Sequence, residues 1–276
     1  MYLESFIASP FINKCLISTY FSCHVFTCQF FLKGIQGDSR TRMTIDRTAI
    51  ISPDATREML DSLVKFDIRP VIIPRCPGVA PPLLGHPDLQ VFVLGRTVYC
   101  HRNIDAGFLK SLGSFADTVI CPTELGPEYP ADCSFNIALA GNCAFHRADI
   151  TDPVVRSALD KASVRMLDVR QGYSRCSTVI VSKSAIITAD AGIHRRAEEN
   201  GLSSLLVVPG HVRLPGYEHG FLGGASGSTG DTVFFTGSLD RHPDRDAVIA
   251  FIMQSGKRAA FLSRGPLVDL GSILFL

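Results

Sequence analysis

From residue 48 onward the chain alternates between short, almost uninterrupted apolar runs and longer polar stretches with apolar residues at helical spacing. Runs such as STVIV, AIIT, LLVV and TVFF are rich in β-branched and aromatic residues and predict strands. Because they do not alternate, they predict strands buried on both faces or packed under a helix. VVRSALDKA and DAVIAFIM carry apolar residues at helical spacing and predict helices. Asp152–Pro153 and His242–Pro243–Asp244 read as helix starts, and Gly201 and Gly256 as stops.

These elements recur in a fixed order: strand, helix, strand, polar loop, strand. The first unit has strand Thr48–Ile51, a helix from about Asp54 to Phe66, strand Arg69–Pro74 and, after the loop GHPD, strand Leu89–Leu94. The second has Thr97–His101, a helix from about Ile104, Thr118–Cys121 and, after YPAD, Ser134–Ala140. The third has Cys143–His146, helix Pro153–Ala162, Val164–Val169 and, after QGYSRC, Ser177–Val181. The fourth has Ala185–Thr188, helix Gly192–Asn200, Ser204–Val208 and, after GYEHG, a strand around Phe221. The fifth has Thr232–Thr236, helix Asp244–Gln254, Ala259–Leu262 and, after VDLG, Ser272–Phe275. First strands begin at Thr48, Thr97, Cys143, Ala185 and Thr232, at intervals of 49, 46, 42 and 47 residues. Such a period marks a repeat architecture, an α/β fold of five β-α-β-β units. One small sheet with one helix cannot bury both faces alone, and five copies can close into a ring that needs no caps. In a ring, the loops before the third strands converge on the axis.

Composition narrows the function. With 46% hydrophobic and 19% charged residues, the 276-residue chain is no disordered protein. With 27 Lys+Arg against 26 Asp+Glu it lacks the basic excess that nucleic-acid binding needs. Nine scattered cysteines form no C-x-x-C pair, so the sequence suggests a reducing, cytoplasmic setting and no structural zinc or other cofactor. Oligomeric state stays open. Residues 1–42 stand apart. Cys15 to Leu32 carries no Lys, Arg, Asp or Glu, but Ser, Thr, Gln and His interrupt it. Three readings fit: an upstream extension with Met43 as the true start, an apolar anchor, or an extra helix. A membrane partner is the less favoured reading. The main domain is then 43–276.

The runs YPADCSFNIALAG, QGYSRCSTVIVSKSAIITADAGI, GYEHGFLGGASG, FFTGSLDRHPD and DLGSI resemble an uncharacterised bacterial family predicted to have the pentein fold. Five such units around an axis also resemble the pentein, or α/β-propeller, superfamily of guanidino-group-modifying enzymes. The resemblance covers roughly Ile50 to the C-terminus. It implies a five-fold pseudosymmetric propeller and a Cys nucleophile, a His acid/base and carboxylates that grip a guanidinium. It also implies a small cationic guanidino or amine ligand. In characterised members the Cys falls in the last third strand. Here that stretch reads Asp269-Leu270-Gly271-Ser272-Ile273-Leu274-Phe275-Leu276, with neither Cys nor His. Non-catalytic penteins, among them a translation initiation factor, keep the ring without the nucleophile.

The convergent loops supply the candidates. Cys176 in QGYSRCS, beside Arg175, is the thiol best placed to act as nucleophile, or else a small buried Cys at a strand start. Arg175 is expected to lower its pKa. Cys133 follows Asp132, a carboxylate that opposes thiolate formation. His219 in GYEHGF is the acid/base candidate, with His86 in GHPD the alternative. Asp132 completes the catalytic set and, with Asp88, is a cation anchor. Asp88, Asn136, Asp269 and His86 are the ligand-binding candidates. The three Asp recur at one place in the units, so each either faces a shared cation or caps its own loop. Gly220 to Asp231 reads as close backbone approach followed by a hairpin turn.

Overall fold

A strand that is apolar on both faces has to be covered on both, and this requirement organises the chain. The computed structural model describes residues 47–113 and 115–276. The proposed 1–42 extension lies outside the described residues. In chain order the elements are β1 (Arg47–Ile51), α1 (Arg57–Lys65), β2 (Ile68–Ile72), α2 (Pro87–Gln90), β3 (Val91–Leu94), β4 (Thr97–Cys100), α3 (Ala106–Leu112), β5 (Asp117–Ile120) and β6 (Ala138–Ala140). Then come β7 (Cys143–His146), α4 (Pro153–Lys161), β8 (Arg165–Asp168), β9 (Thr178–Ser182), β10 (Ala185–Thr188), α5 (Ala191–Glu199), β11 (Ser203–Leu206) and β12 (Ser226–Thr229). The last are β13 (Thr232–Phe235), α6 (Arg245–Gln254), β14 (Arg258–Phe261) and β15 (Leu274–Phe275).

The result is a mixed α/β fold of five three-stranded sheets. In each, the first strand of a unit lies in the middle, parallel to the strand that follows its helix. Helical crossovers make these parallel pairs possible. Four middle strands also pair antiparallel with the strand just before them, through two-residue hairpins. Gly95, Gly141 and Gly230 open three of those hairpins at φ of 60°, 59° and 56°, as type II′ turns require. β1 has no such predecessor among the described residues. The C-terminal β15 takes that place, pairing Ala49 with Phe275 and Ile50 with Leu274.

Middle strands β7, β10 and β13 are buried throughout, as their unbroken apolar runs predict. Each helix seals its sheet with a buried pair at i and i+4: Met59 and Leu63, Phe108 and Leu112, Val155 and Leu159, Ile193 and Ala197, Val248 and Ile252. Each large member of such a pair contributes about 2 kcal/mol by leaving water. Asp105, Asp152 and Asp190 cap their helices by accepting from backbone N–H groups. Asp244 does not. Its carboxylate takes the Val208 N–H instead, at 2.7 Å, and ties the fourth unit to the fifth.

Third strands deviate most from expectation. That of the fourth unit is Ser226–Thr229 rather than a segment around Phe221. In the second unit only Ala138–Ala140 pairs, and in the first Leu89 and Gln90 belong to α2. Of these strands, β6 lies beside β9, β9 beside β12, and β12 beside β15. A Cβ at Gly227 would collide with the Ile273 carbonyl, so β12 can approach β15 only as glycine. Phe92, Leu139, Ile180, Ser228 and Phe275, one from each of these five strands, line a single cavity of about 460 Å³. Among the described residues no helix is long and apolar enough to cross a membrane.

Candidate functional site

The loops before the third strands bring their polar residues together at one end of these strands. α2 starts at Pro87, whose fixed φ suits a first helical position, so His86 falls at the N-cap and Asp88 in the first turn. The loop 269–272 folds onto α2. The Asp88 N–H donates to the Gly271 carbonyl at 3.2 Å. Gly271 sits at φ 72°, and a Cβ there would collide with His86. Ser272 follows at φ 68°, an unusual conformation for a residue with a side chain. This turn directs its hydroxyl into the interior, where it donates to Asp88 Oδ2 at 2.6 Å.

Cys176 arrives from the third unit. Its thiol donates to the same Asp88 Oδ2 at 3.0 Å, and Asn136 Nδ2 donates to Sγ at 3.2 Å. Asn136 Oδ1 accepts from the backbone N–H groups of Arg175 and Cys176, at 2.7 and 3.1 Å, so one amide fixes both the loop and the thiol. Asp269 arrives from the fifth unit. Its oxygens accept from Phe221 N at 2.9 Å and Gly271 N at 3.0 Å. A Cβ at Gly224 would overlap that carboxylate, which is why the glycine-rich run passes there. His86 Nδ1 stands 3.9 Å from Asp269 Oδ1, beyond hydrogen-bond range. His86, Cys176 and Asp269 line a cavity of about 170 Å³ whose walls are apolar and aromatic: Leu83, Leu89, Leu214 and Phe221.

Thus Asp88, Asn136, Cys176, Asp269 and His86 meet. His219 lines the same cavity but is exposed, its Nδ1 3.1 Å from the Gly220 carbonyl and its ring edge-on to Phe221. Asp132 is one step removed. It is buried and accepts from the Tyr173 hydroxyl at 2.6 Å, and Tyr173 lines the cavity. The three recurrent Asp positions therefore differ: Asp269 binds backbone N–H groups, Asp88 a thiol and a hydroxyl, Asp132 a phenol. Ser272 and Tyr173 were not among the sequence candidates. The signal for Ser272 is its place after Gly271, at the start of the last third strand of the repeat. Tyr173 lies three residues before Cys176 and shares its loop.

The electrostatics follow from burial. Desolvation, then the charges of Asp88 and Asp269, push the Cys176 thiol well above its ordinary value. Arg175, although its charge couples to Cys176 and Asp269, does not outweigh burial and the two carboxylates. Its buried guanidinium donates to the carbonyls of Thr178, Gly223 and Ser226 at 2.9, 3.3 and 3.4 Å. Burial raises Asp88, and it raises Asp269 to about 6. Burial lowers His86, against the pull of Asp88 and Asp54. Burial raises Asp132 against the Tyr173 bond, and it raises Cys133, with Asp132 adding to the shift. The site at rest therefore favours a protonated thiol and a neutral imidazole, with its carboxyls shifted upward by burial. Asp88 Oδ1, Asp132 Oδ1 and His86 Nδ1 are buried without a hydrogen-bond partner.

The chain belongs to a family of unknown function, DUF6873, whose model matches residues 50–274. No curated protein matches it by sequence. In structure it is similar to DDAH, dimethylarginine dimethylaminohydrolase, from Pseudomonas aeruginosa complexed with citrulline, at 10% identity and TM-score 0.48, over 78% of this chain and 91% of that one. It is also similar to an amidinotransferase of the saxitoxin biosynthetic pathway from Microseira wollei, at 10% identity and TM-score 0.46, over 75% and 73%. A third is the inosamine-phosphate amidinotransferase of Streptomyces griseus, at 11% identity and TM-score 0.43, over 74% and 72%. All three are pentein-superfamily members, the superfamily that the sequence runs resemble. The likeness concerns the course of the chain and carries nothing about chemistry.

Proposed function

We propose that the protein is a pentein-type enzyme acting on a small guanidino or amine compound, with its five sheets arranged as one five-fold α/β propeller. The cavity shared by β3, β6, β9, β12 and β15 supports the ring, as does the pairing of β15 with β1. The observation that carries the function is the buried Asp88 and Asp269 flanking Cys176, with Asp88 Oδ1 unpartnered. Without a cation, burial holds the thiol protonated and raises both carboxyls. A guanidinium there favours the carboxylates, offers planar paired donors, and brings the thiol down.

In this reading Cys176 Sγ attacks the guanidino carbon and its proton passes to a nearby base. A sulfur–carbon bond forms, and the bond from carbon to the leaving amine breaks as His219, or His86, gives that nitrogen a proton. Water, in a hydrolase, or an acceptor amine, in a transferase, then takes the carbon from sulfur and the thiol is reprotonated. Asp88, Asp269 and Asn136 hold ligand and thiol, and Asp132 positions Tyr173 on the wall.

A second reading, a non-catalytic ring that binds a ligand or partner, is favoured by the thiol held protonated and by Ser272–Leu276 lacking Cys and His. One experiment separates them: a panel of guanidines and amines, scored for turnover and for alkylation of Cys176 by mass spectrometry. Product or a covalent adduct at Cys176 supports the enzyme. Protection of Cys176 without product supports binding alone. Neither protection nor product across the panel removes the enzyme and the guanidino-ligand readings and leaves a partner-binding ring.

A further inference from the structure

The buried cluster has a second chemistry. A ring nitrogen of His86, Cys176 Sγ and a carboxylate oxygen of Asp269 lie within 4.8 Å of one another, all three residues are buried, and His86 Nδ1 is 3.9 Å from Asp269 Oδ1. Buried polar atoms almost always have a hydrogen-bond partner. Here His86 Nδ1 has none, and neither has Asp88 Oδ1, two residues further along the chain. His86 is 3% exposed and Asp88 1%, so both side chains lie in the interior. The unpartnered Nδ1 faces the Asp269 carboxylate across 3.9 Å, a gap that a shared metal ion closes. Burial disfavours protonating the imidazole instead.

We propose that His86 Nδ1, Cys176 Sγ and Asp269 form a binding site for a divalent transition-metal cation of the zinc class, with Asp88 beside it. The donor set selects the ion. Thiolate and imidazole suit zinc and its neighbours, whereas calcium and magnesium require oxygen donors. Two donors sharing one tetrahedral zinc stand about 3.3–3.8 Å apart. The 3.9 Å between His86 Nδ1 and Asp269 Oδ1 is nearly that already. The wider separations close by small side-chain rotations about the ion.

Charge balances as well. With Cys176, Asp88 and Asp269 all ionised the site carries three negative charges, and buried Arg175 offsets one. A dication offsets the other two. Supporting bonds are in place. Asn136 Nδ2 donates to the sulfur, Phe221 N and Gly271 N hold the Asp269 carboxylate, and Ser272 holds Asp88. The fourth position opens on the 170 Å³ cavity, toward the exposed Tyr217 and His219 at its rim. Binding forms metal–sulfur, metal–nitrogen and metal–oxygen bonds. The thiol proton, and any on the carboxyls, is released to water. No electron is transferred. A metal ion and a guanidinium exclude each other here, so the proposal stands apart from the enzyme reading although it shares residues with it.

The test uses the full-length protein, stripped with chelator and dialysed against Zn²⁺ alone, then Co²⁺ alone. The expected result is one equivalent of zinc per chain, released protons, and a near-ultraviolet thiolate-to-cobalt band. Cys176→Ser and His86→Asn should weaken binding by about 100-fold. Cys133→Ser, which removes a buried thiol outside the cluster, should bind as the parent does. The cobalt band on the unsubstituted protein reports sulfur ligation even if a variant misfolds. Absence of stoichiometric uptake, cobalt bound without the thiolate band, or full binding by a folded Cys176→Ser protein would overturn the proposal. Metal uptake with no response to any guanidine supports the metal site and counts against the enzyme. Turnover by protein that takes up no metal does the reverse.

Discussion

Cys176 and Asp88, from different units of the repeat, share a hydrogen bond of 3.0 Å in which the thiol is the donor. That polarity decides the resting chemistry. Burial first, and then the Asp88 carboxylate, raises the thiol's pKa, so the contact adds to the protection of the sulfur from ionising. Replacing Asp88→Asn removes the charge and offers an amide donor to sulfur. The thiolate fraction is then expected to rise by about tenfold for each pKa unit recovered. Alkylation of Cys176 by a small reagent at pH 8, in metal-free protein, should accelerate by about that factor. An unchanged or slower rate would show that Asp88 does not control the thiol.

Tyr173→Phe tests the neighbouring contact. The Tyr173 hydroxyl donates to Asp132 Oδ2 at 2.6 Å, and Asp132 Oδ1 is buried without a partner. Losing the phenol takes the O–H donor from a buried carboxyl, at a cost of about 1–3 kcal/mol. Urea denaturation should show that loss without a change in m-value. If Asp132 serves only the protein interior, ligand response will survive in the folded variant. If it positions Tyr173 on the cavity wall, ligand affinity will fall with it.

How much of this was legible in the sequence depended on which interactions were local. The repeat was readable because its middle strands are apolar on both faces and its helices carry their own caps, as at Asp152 and Asp190. β12 was not, because Ser226–Thr229 reads SGST. It has little strand propensity, and its place comes from close approach to β15 at Gly227. Segment 134–137 looked like a strand, but Asn136 spends its side chain on the Cys176 loop, and pairing begins only at Ala138. Among site residues, the loops of Cys176, Asp88 and Asp269 could be singled out by their recurrence. The direction of the Arg175 guanidinium could not. Its neighbour in sequence is Cys176, but its partners in space are carbonyls of 178, 223 and 226.

His146 gives the fold a defined acid sensitivity. It is fully buried, with Nε2 3.0 Å from the Cys133 and Gly172 carbonyls and Nδ1 2.7 Å from Thr151 Oγ1. Burial lowers its pKa to about 4, against the raising effect of those carbonyls. The unfolded chain, with an ordinary imidazole, therefore binds a proton that the folded chain refuses. The stabilisation is complete above about pH 6.5 and is lost as pH falls toward 4, by up to about 3 kcal/mol. His146→Gln keeps a donor for the carbonyls and cannot titrate. The stability lead of the parent over this variant should shrink steadily from pH 6.5 to 4. A lead independent of pH would mean that His146 has the same pKa folded and unfolded.

The C-terminal strand closes the account of the fold, because it serves both the sheet and the site. β15 gives β1 the antiparallel neighbour that the other middle strands find in their own hairpins, and Phe275 packs against Phe234 at 5.5 Å between centroids. The residue that leads into it, Ser272, donates to Asp88. Ending the chain after Gly271 opens the edge of β1, uncovers Phe234 and removes one of the two donors on Asp88. An open, apolar strand edge invites intermolecular pairing. The truncated protein is expected to unfold at markedly lower urea and to self-associate in size-exclusion chromatography. Phe275→Ala, which keeps the strand and Ser272, should cost about 2 kcal/mol and stay monodisperse relative to the parent. Ser272→Ala should leave the sheet intact and alter only Cys176 alkylation. If the truncation behaves like Ser272→Ala alone, β15 is not needed to complete the sheet of β1.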